Sequence, residues 1–378
     1  MVENEFDFSE LSKRLGVSRR AFLKFCTGVA ASLGLPAHSA MAMAAAVADP
    51  KRRAPVIWLH GQECTGPTEA LLRSEQPSLA HLILDLISLD YHQTLDTGAG
   101  HQVEAAKKQS MLENKGKYLL VIEGAIPVKD NGIYCKIAGE TMLDLTIEAA
   151  ENAAAIVAYG SCASWGGVQS ASPNPTGAQG APEVLKGKTV LTIPGCPPNP
   201  ANFIGTVLFF LTYGALPPID EKGRPKWAYG RLIHENCYRR PHFDAGRFAK
   251  EFGDEGHQKG WCLYEMGCKG PETFNNCPSL EYNNVGGGVW PVGVGAPCFG
   301  CSEQGVGFNK PLYSLADVKT HTPPNAFPDI EDREGPQGVT AGAAALAGAA
   351  VGTVVGASII SAKKMGEKES VNSDDQAN

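Results

Sequence analysis

Residues 155–167 read AIVAYGSCASWGG: five apolar residues in a row, then a glycine, a serine and a cysteine. An apolar run with no polar alternation marks a strand buried on both faces, and the glycine directly after it permits a sharp turn. The same order recurs at 56–64, where VIWL leads through Gly61 to Cys64, and at 189–196, where TVLTI leads through Gly195 to Cys196. Runs at 82–89 and 118–122 supply two more strands, and the segments 101–113, 139–151 and 199–213 read as helices. The pattern predicts an α/β fold over residues 49–230, a flavodoxin-like doubly wound parallel sheet. Because each of Cys64, Cys162 and Cys196 follows a strand by a few residues, all three gather at the carboxyl edge, where such sheets bind ligands. Gly61, Gly66, Gly160, Gly166, Gly167 and Gly195 let the backbone come close there and aim amides at an inorganic ligand.

The chain has 378 residues, 43% of them hydrophobic, enough for a substantial core. A net charge of -7 leaves no basic footprint and argues against nucleic acid as a partner. The N-terminus reads Ser18-Arg19-Arg20-Ala21-Phe22-Leu23-Lys24 and continues into an uncharged, alanine-rich run to Ala48. That is a twin-arginine export signal over residues 1–48, and Cys26 leaves with it. Proteins sent by this route travel folded, so thiols needed for a cofactor are occupied before export. A disulfide framework is therefore disfavoured, the more so because a chain this long buries a core unaided. Near the other end, 339–362 carries no charge and is rich in Ala and Gly. As a helix it is about 36 Å long, enough to cross a bilayer, and the following Lys363 and Lys364 favour a cytoplasmic tail over 363–378. The proline-rich 316–338 reads as a linker to that span.

Between sheet and linker, residues 231–315 hold His234 and six cysteines among many Gly, Pro and Asn, with little apolar periodicity. Such a segment needs a non-protein core. The ligand types run His234-x-x-Cys237, Cys262-x5-Cys268, Cys277, and Cys298-Phe299-Gly300-Cys301. Spacing alone suits zinc as well as iron–sulfur clusters. Zinc has no evident task in so large an array on an exported, tethered chain, which favours iron–sulfur.

Taken in order, the twin-arginine signal, Glu63-Cys64-Thr65-Gly66, the Gly160–Gly167 stretch, Pro194-Gly195-Cys196-Pro197-Pro198-Asn199-Pro200, the 231–301 array and the C-terminal span resemble the small subunit of membrane-bound uptake [NiFe] hydrogenases. The resemblance covers essentially the whole chain. It implies a proximal [4Fe–4S] cluster on Cys64, Cys162 and Cys196, a distal [4Fe–4S] cluster on His234, Cys237, Cys262 and Cys268, and a medial [3Fe–4S] cluster on Cys277, Cys298 and Cys301, with Pro291 where a fourth ligand would stand. It also implies a large subunit that holds the Ni–Fe site, of which this chain has none. It implies further that electrons pass on to a membrane cytochrome b or another quinone-linked acceptor, on the periplasmic side of the inner membrane, with the C-terminal helix in the lipid bilayer. Gly66 and Gly167 stand where oxygen-tolerant relatives carry extra cysteines.

The resemblance breaks at Pro67, where the family has a second proximal cysteine and this chain has no ligating atom. Three outcomes stay open: loss of an iron, recruitment of Glu63 or Glu69, or recruitment of Cys135, whose plainer reading is a buried structural thiol. A rival function also follows, a scaffold that anchors the partner subunit while its own relay is broken at Pro67.

Replacing Arg19 and Arg20 by lysine is expected to hold the assembled protein on the cytoplasmic side, because the export machinery reads the guanidinium pair. Cell fractionation checks this. Normal export of the double variant would refute the signal assignment.

Overall fold

The computed structural model describes residues 19–36, 38–48, 53–74, 87–282 and 289–319. Five parallel strands, β1 (Ala54–His60), β2 (Ile87–His92), β3 (Leu119–Glu123), β4 (Ala155–Tyr159) and β5 (Val190–Ile193), form one sheet in the order β2-β1-β3-β4-β5. This is the flavodoxin-like order expected from the sequence. The register brings the strand ends level. His60 pairs with Glu123, Glu123 with Tyr159, and Tyr159 with Ile193, so four strands end in one row and release their loops at the same edge.

Side chains alternate between two cores, as the two-residue period of a strand requires. Val56, Trp58, Val121, Val157, Tyr159 and Leu191 pack on one face with Phe203, Ile204 and Val207 of helix Pro200–Tyr213. Ile57, Leu59, Leu120, Ile122 and Ile156 pack on the other with Met142, Leu145 and Ala149 of helix Met142–Glu151. Burying each such side chain is worth roughly 1.5–3 kcal/mol.

The helix expected at 139–151 starts later. Lys136–Ile137 and Glu140–Thr141 first pair as a short antiparallel ladder, and the Thr141 hydroxyl then accepts the Asp144 N–H at 3.1 Å as the helix cap. Likewise Asn199 caps the helix at 200, Pro200 opens it, and Gly214 closes it in the left-handed region. The strand expected at 82–89 is seen from Ile87 and runs on to His92; residues 82–86 lie outside the described residues.

The cysteine-rich segment packs against the sheet in the same compact unit. Its own core contains few apolar residues. Ile233, Ala249, Leu263, Met266, Trp290 and Val292 share it with Cys268, Cys277 and Cys298, and Cys237 packs at its margin. Polar bonds join the segment to the sheet: Asn202 and Asn276 exchange side-chain hydrogen bonds, Asn199 donates to the Glu281 carbonyl at 2.6 Å, and Tyr282 donates to that of Pro197 at 2.6 Å. Buried Arg224 meets Glu303 at 2.8 Å and Asp220 at 2.8 Å, so an ion pair spans the expected 230/231 boundary.

Helices Arg19–Ser32 and Ser39–Ala48 pair through Cys26, Ala30, Met43 and Ala44, and Val29 packs against the sheet core. Residues 1–18 of the expected signal, and 320–378, with most of the linker, the 339–362 span and the tail, lie outside the described residues. Among the described residues no helix is long and apolar enough to cross a membrane.

Glu303→Ala is expected to leave the Arg224 guanidinium buried with Asp220 alone and to cost about 3 kcal/mol. Denaturant unfolding of the purified complex measures it. A loss below about 1 kcal/mol would show that the pair does not hold the two parts together.

Candidate metal centres

The first group lies at the sheet edge. From His60 the chain passes Gly61, whose N–H donates to the Glu123 carbonyl at 2.7 Å and where a Cβ would stand 2.5 Å from the Ala125 carbonyl oxygen. Only glycine fits there, and the loop then presents Cys64 in an exposed position. Cys162 sits in the one-turn helix Ser161–Trp165, reached through Gly160 with φ 95°. Cys196 follows Gly195 and is exposed. A Cβ on Gly167 would lie 2.6 Å from the Cys162 sulfur, which accounts for the small residue at that position.

Burial pushes the Cys162 thiol up to about 12, with the negative charge of Cys196 and then Cys64 adding to it. Cys196 is raised by burial and by Cys64. Each sulfur therefore stands in the field of the other two. Thiols raised in this way are poor nucleophiles, because the thiolate is the reactive form. A bound metal cation reverses this, since a coordinating thiol loses its proton outright.

The second group is Cys277, Cys298 and Cys301. All three are raised by burial, Cys301 to about 11, and Cys277 and Cys298 are raised further by Cys301. The backbone joins this group to the first. Ser161, beside Cys162, accepts the Gly195 N–H at 2.9 Å and donates to the Cys301 carbonyl at 2.5 Å. The Cys301 sulfur also receives a backbone N–H from Cys196.

The third group lines a single pocket: His234, Cys237, Cys262 and Cys268, with Arg239, Tyr264 and Val292. His234 is buried, its Nε2 has no hydrogen-bond partner, and its ring packs edge-on to Phe243 at 4.5 Å. Burial, and then the nearby Arg240 charge, lower its pKa to about 4. A neutral imidazole with a bare nitrogen in a pocket of three thiols is suited to ligate a metal. Burial raises Cys237 and Cys268, and Cys262 to about 11. The second and third groups also share backbone: the Cys298 N–H donates to the Cys268 sulfur at 3.4 Å, and the Lys269 N–H to the Cys298 carbonyl at 2.6 Å.

Cys135 stands apart from these three groups. It packs against the core under helix Met142–Glu151, and its carbonyl accepts the Met142 N–H at 2.9 Å. Sequence reasoning missed two buried cations. Arg239 donates to the Val292 and Trp261 carbonyls at 3.1 and 2.9 Å, and its charge lowers Cys237, Cys262 and Cys268. Lys269, 1% exposed, stands between the second and third groups. It also missed the post beneath Cys64, where Glu123 accepts from Trp58 Nε1 at 3.0 Å, Thr68 N at 3.1 Å and the Thr68 hydroxyl at 2.5 Å. His60 and His92 meet there edge-on with ring centres 4.5 Å apart. Since Thr68 follows Pro67, this network fixes the loop that carries Cys64.

Fold and site together define an α/β protein that gathers three groups of cysteines, one of them with a histidine, beyond one edge of its sheet. The family described as NADH ubiquinone oxidoreductase, 20 Kd subunit, matches residues 64–210, and the family of the C-terminal part of the NiFe/NiFeSe hydrogenase small subunit matches 229–313. The chain is 54% identical over 354 residues to the Hydrogenase-2 small chain of Escherichia coli strain K12, spanning 94% of each. It is 46% identical over 306 residues to the uptake hydrogenase small subunit of Rhizobium leguminosarum bv. viciae, spanning 81% of this chain and 84% of that one. Among solved structures, the reduced, active Ni-Fe-Se hydrogenase from Desulfomicrobium baculatum matches with a TM-score of 0.65 and 33% identity, over 70% of this chain and 99% of that chain.

The chain belongs to the small subunits of [NiFe] hydrogenases. It is one part of an oxidoreductase and pairs with a large subunit, which bears the catalytic site.

Proposed function

We propose that this small subunit passes electrons between the large subunit and a quinone-linked membrane acceptor, such as a membrane cytochrome b, through three iron–sulfur centres. Cys64, Cys162 and Cys196 hold the first, Cys277, Cys298 and Cys301 a [3Fe–4S] cluster, and His234, Cys237, Cys262 and Cys268 a [4Fe–4S] cluster. Iron–sulfur clusters supply one-electron carriage at potentials set by ligand type, charge and hydrogen bonding.

The observation that carries this reading is the continuity of the groups. Ser161 and the Cys196 amide tie the first to the second, and Cys298 and Cys268 tie the second to the third. The protein's own residues then have three tasks. Cys64 and Cys196 are exposed at the sheet edge, which makes that edge the docking face for the large subunit. Arg239 brings positive charge to the last thiolates, and His234 replaces one anionic ligand by a neutral one; both changes favour the reduced state at the exit. Packing of Cys277 and Cys298 in the core excludes water from the middle of the route. The twin-arginine signal and the 339–362 span support placement on the periplasmic side of the inner membrane, anchored by one helix.

His234→Ala is expected to cut quinone reduction by roughly ten-fold or more while hydrogen–deuterium exchange at the large subunit survives, since removing a ligand or its close support typically costs 10–100-fold. Both rates are read on the same detergent-extracted complex. Equal loss in the two assays would contradict the exit placement.

A further inference from the structure

We infer that the first site holds a three-iron, four-sulfide cluster, with Pro67 closing the corner where a fourth iron would need its ligand. The inference rests on the iron–sulfur reading above and concerns only this chain's ligand count. Three sulfurs, those of Cys64, Cys162 and Cys196, stand in one another's field. Pro67 stands beside all three loops. A Cβ on the preceding Gly66 would lie 3.1 Å from the Cys64 sulfur and 3.9 Å from Pro197, the residue after Cys196. The Pro67 ring carbon Cγ lies 2.8 Å from the place of a Cβ on Gly160, two residues before Cys162. A pyrrolidine ring therefore occupies the gap between the loops, and it has no donor atom.

The other candidate donors are Cys135, Glu69 and Glu63. Cys135 packs against the helix-side core. Glu69 is exposed on the helix Gly66–Leu72. Glu63 is bound at Oε1 by His60 at 3.3 Å and Thr65 at 3.2 Å, and its charge acts on Glu123 and Cys135. Its Oε2 is buried without a hydrogen-bond partner, which makes Glu63 the one rival to be tested.

Each corner iron of such a cluster takes one thiolate, so three thiolates retain three irons and a fourth is held only by sulfide and an exchangeable ligand. On oxidation by added ferricyanide, [4Fe–4S]2+ then gives [3Fe–4S]+, one Fe2+ and one electron, which the ferricyanide takes. With dithionite as electron donor and ferrous ion, the same site runs in reverse.

The test uses the purified heterodimer with its large subunit, oxidised with ferricyanide, by electron paramagnetic resonance with spin counting alongside iron and acid-labile sulfide analysis. About two three-iron spins per heterodimer are expected, one from each three-thiolate site. Pro67→Cys is expected to bring this to about one and to raise the iron content by about one per heterodimer. Pro67→Ala, which opens the corner without adding a ligand, is expected to keep about two. About one spin in the unaltered heterodimer, lost iron on Glu63→Gln, or no change with Pro67→Cys would each overturn the inference and leave the iron–sulfur reading standing. Absence of acid-labile sulfide would instead remove the reading on which it rests.

Discussion

The level ending of four parallel strands is the constraint on which everything else in this molecule depends. His60, Glu123, Tyr159 and Ile193 stand in one row, and the loops that leave it carry Cys64, Cys162 and Cys196. A slip of one residue in any pairing would turn its strand's core side chains to the wrong face, so the two apolar cores that lock the register also lock the thiols. The Glu123, Thr68 and Trp58 bonds reinforce the row where β1 and β3 leave the sheet. The cysteine-rich segment in turn docks on that edge, through Ser161, Asn199 and Asn202.

Two kinds of core meet at this edge. On both faces of the sheet, apolar side chains make up most of the core. In the cysteine-rich segment, thiols occupy positions that leucines take elsewhere, and burial drives those thiols toward the protonated form. Ligands that must shed protons to bind couple metal loading to folding. Arg239 and Lys269 lie where negative charge accumulates once the thiolates form. Their desolvation is offset by backbone carbonyls and by that charge.

Much of this was legible in the sequence because buried parallel strands leave uninterrupted apolar runs. The run at 155–159 is the strand Ala155–Tyr159, and the helix expected at 101–113 is His101–Glu113. The family resemblance brought His234, Cys237, Cys262 and Cys268 together, and these four line one pocket. What was not legible depends on tertiary placement. Glu123, His60 and His92 are single polar residues at three strand ends, and nothing local reveals that they meet. Arg239 and Arg224 look like surface charges until the fold buries them. Thr141 takes over as cap only because Gly139 and Glu140 are drawn into a hairpin.

The central claim is that the three groups form one electron path from the sheet edge to His234. Stepwise reductive titration of the complex, followed by electron paramagnetic resonance, tests it most directly. The signal of the middle centre is expected to change shape as the spin state of each neighbour changes, because Cys301 adjoins the first group and Cys298 the third. A middle-centre signal that keeps its shape while its neighbours are reduced would contradict it.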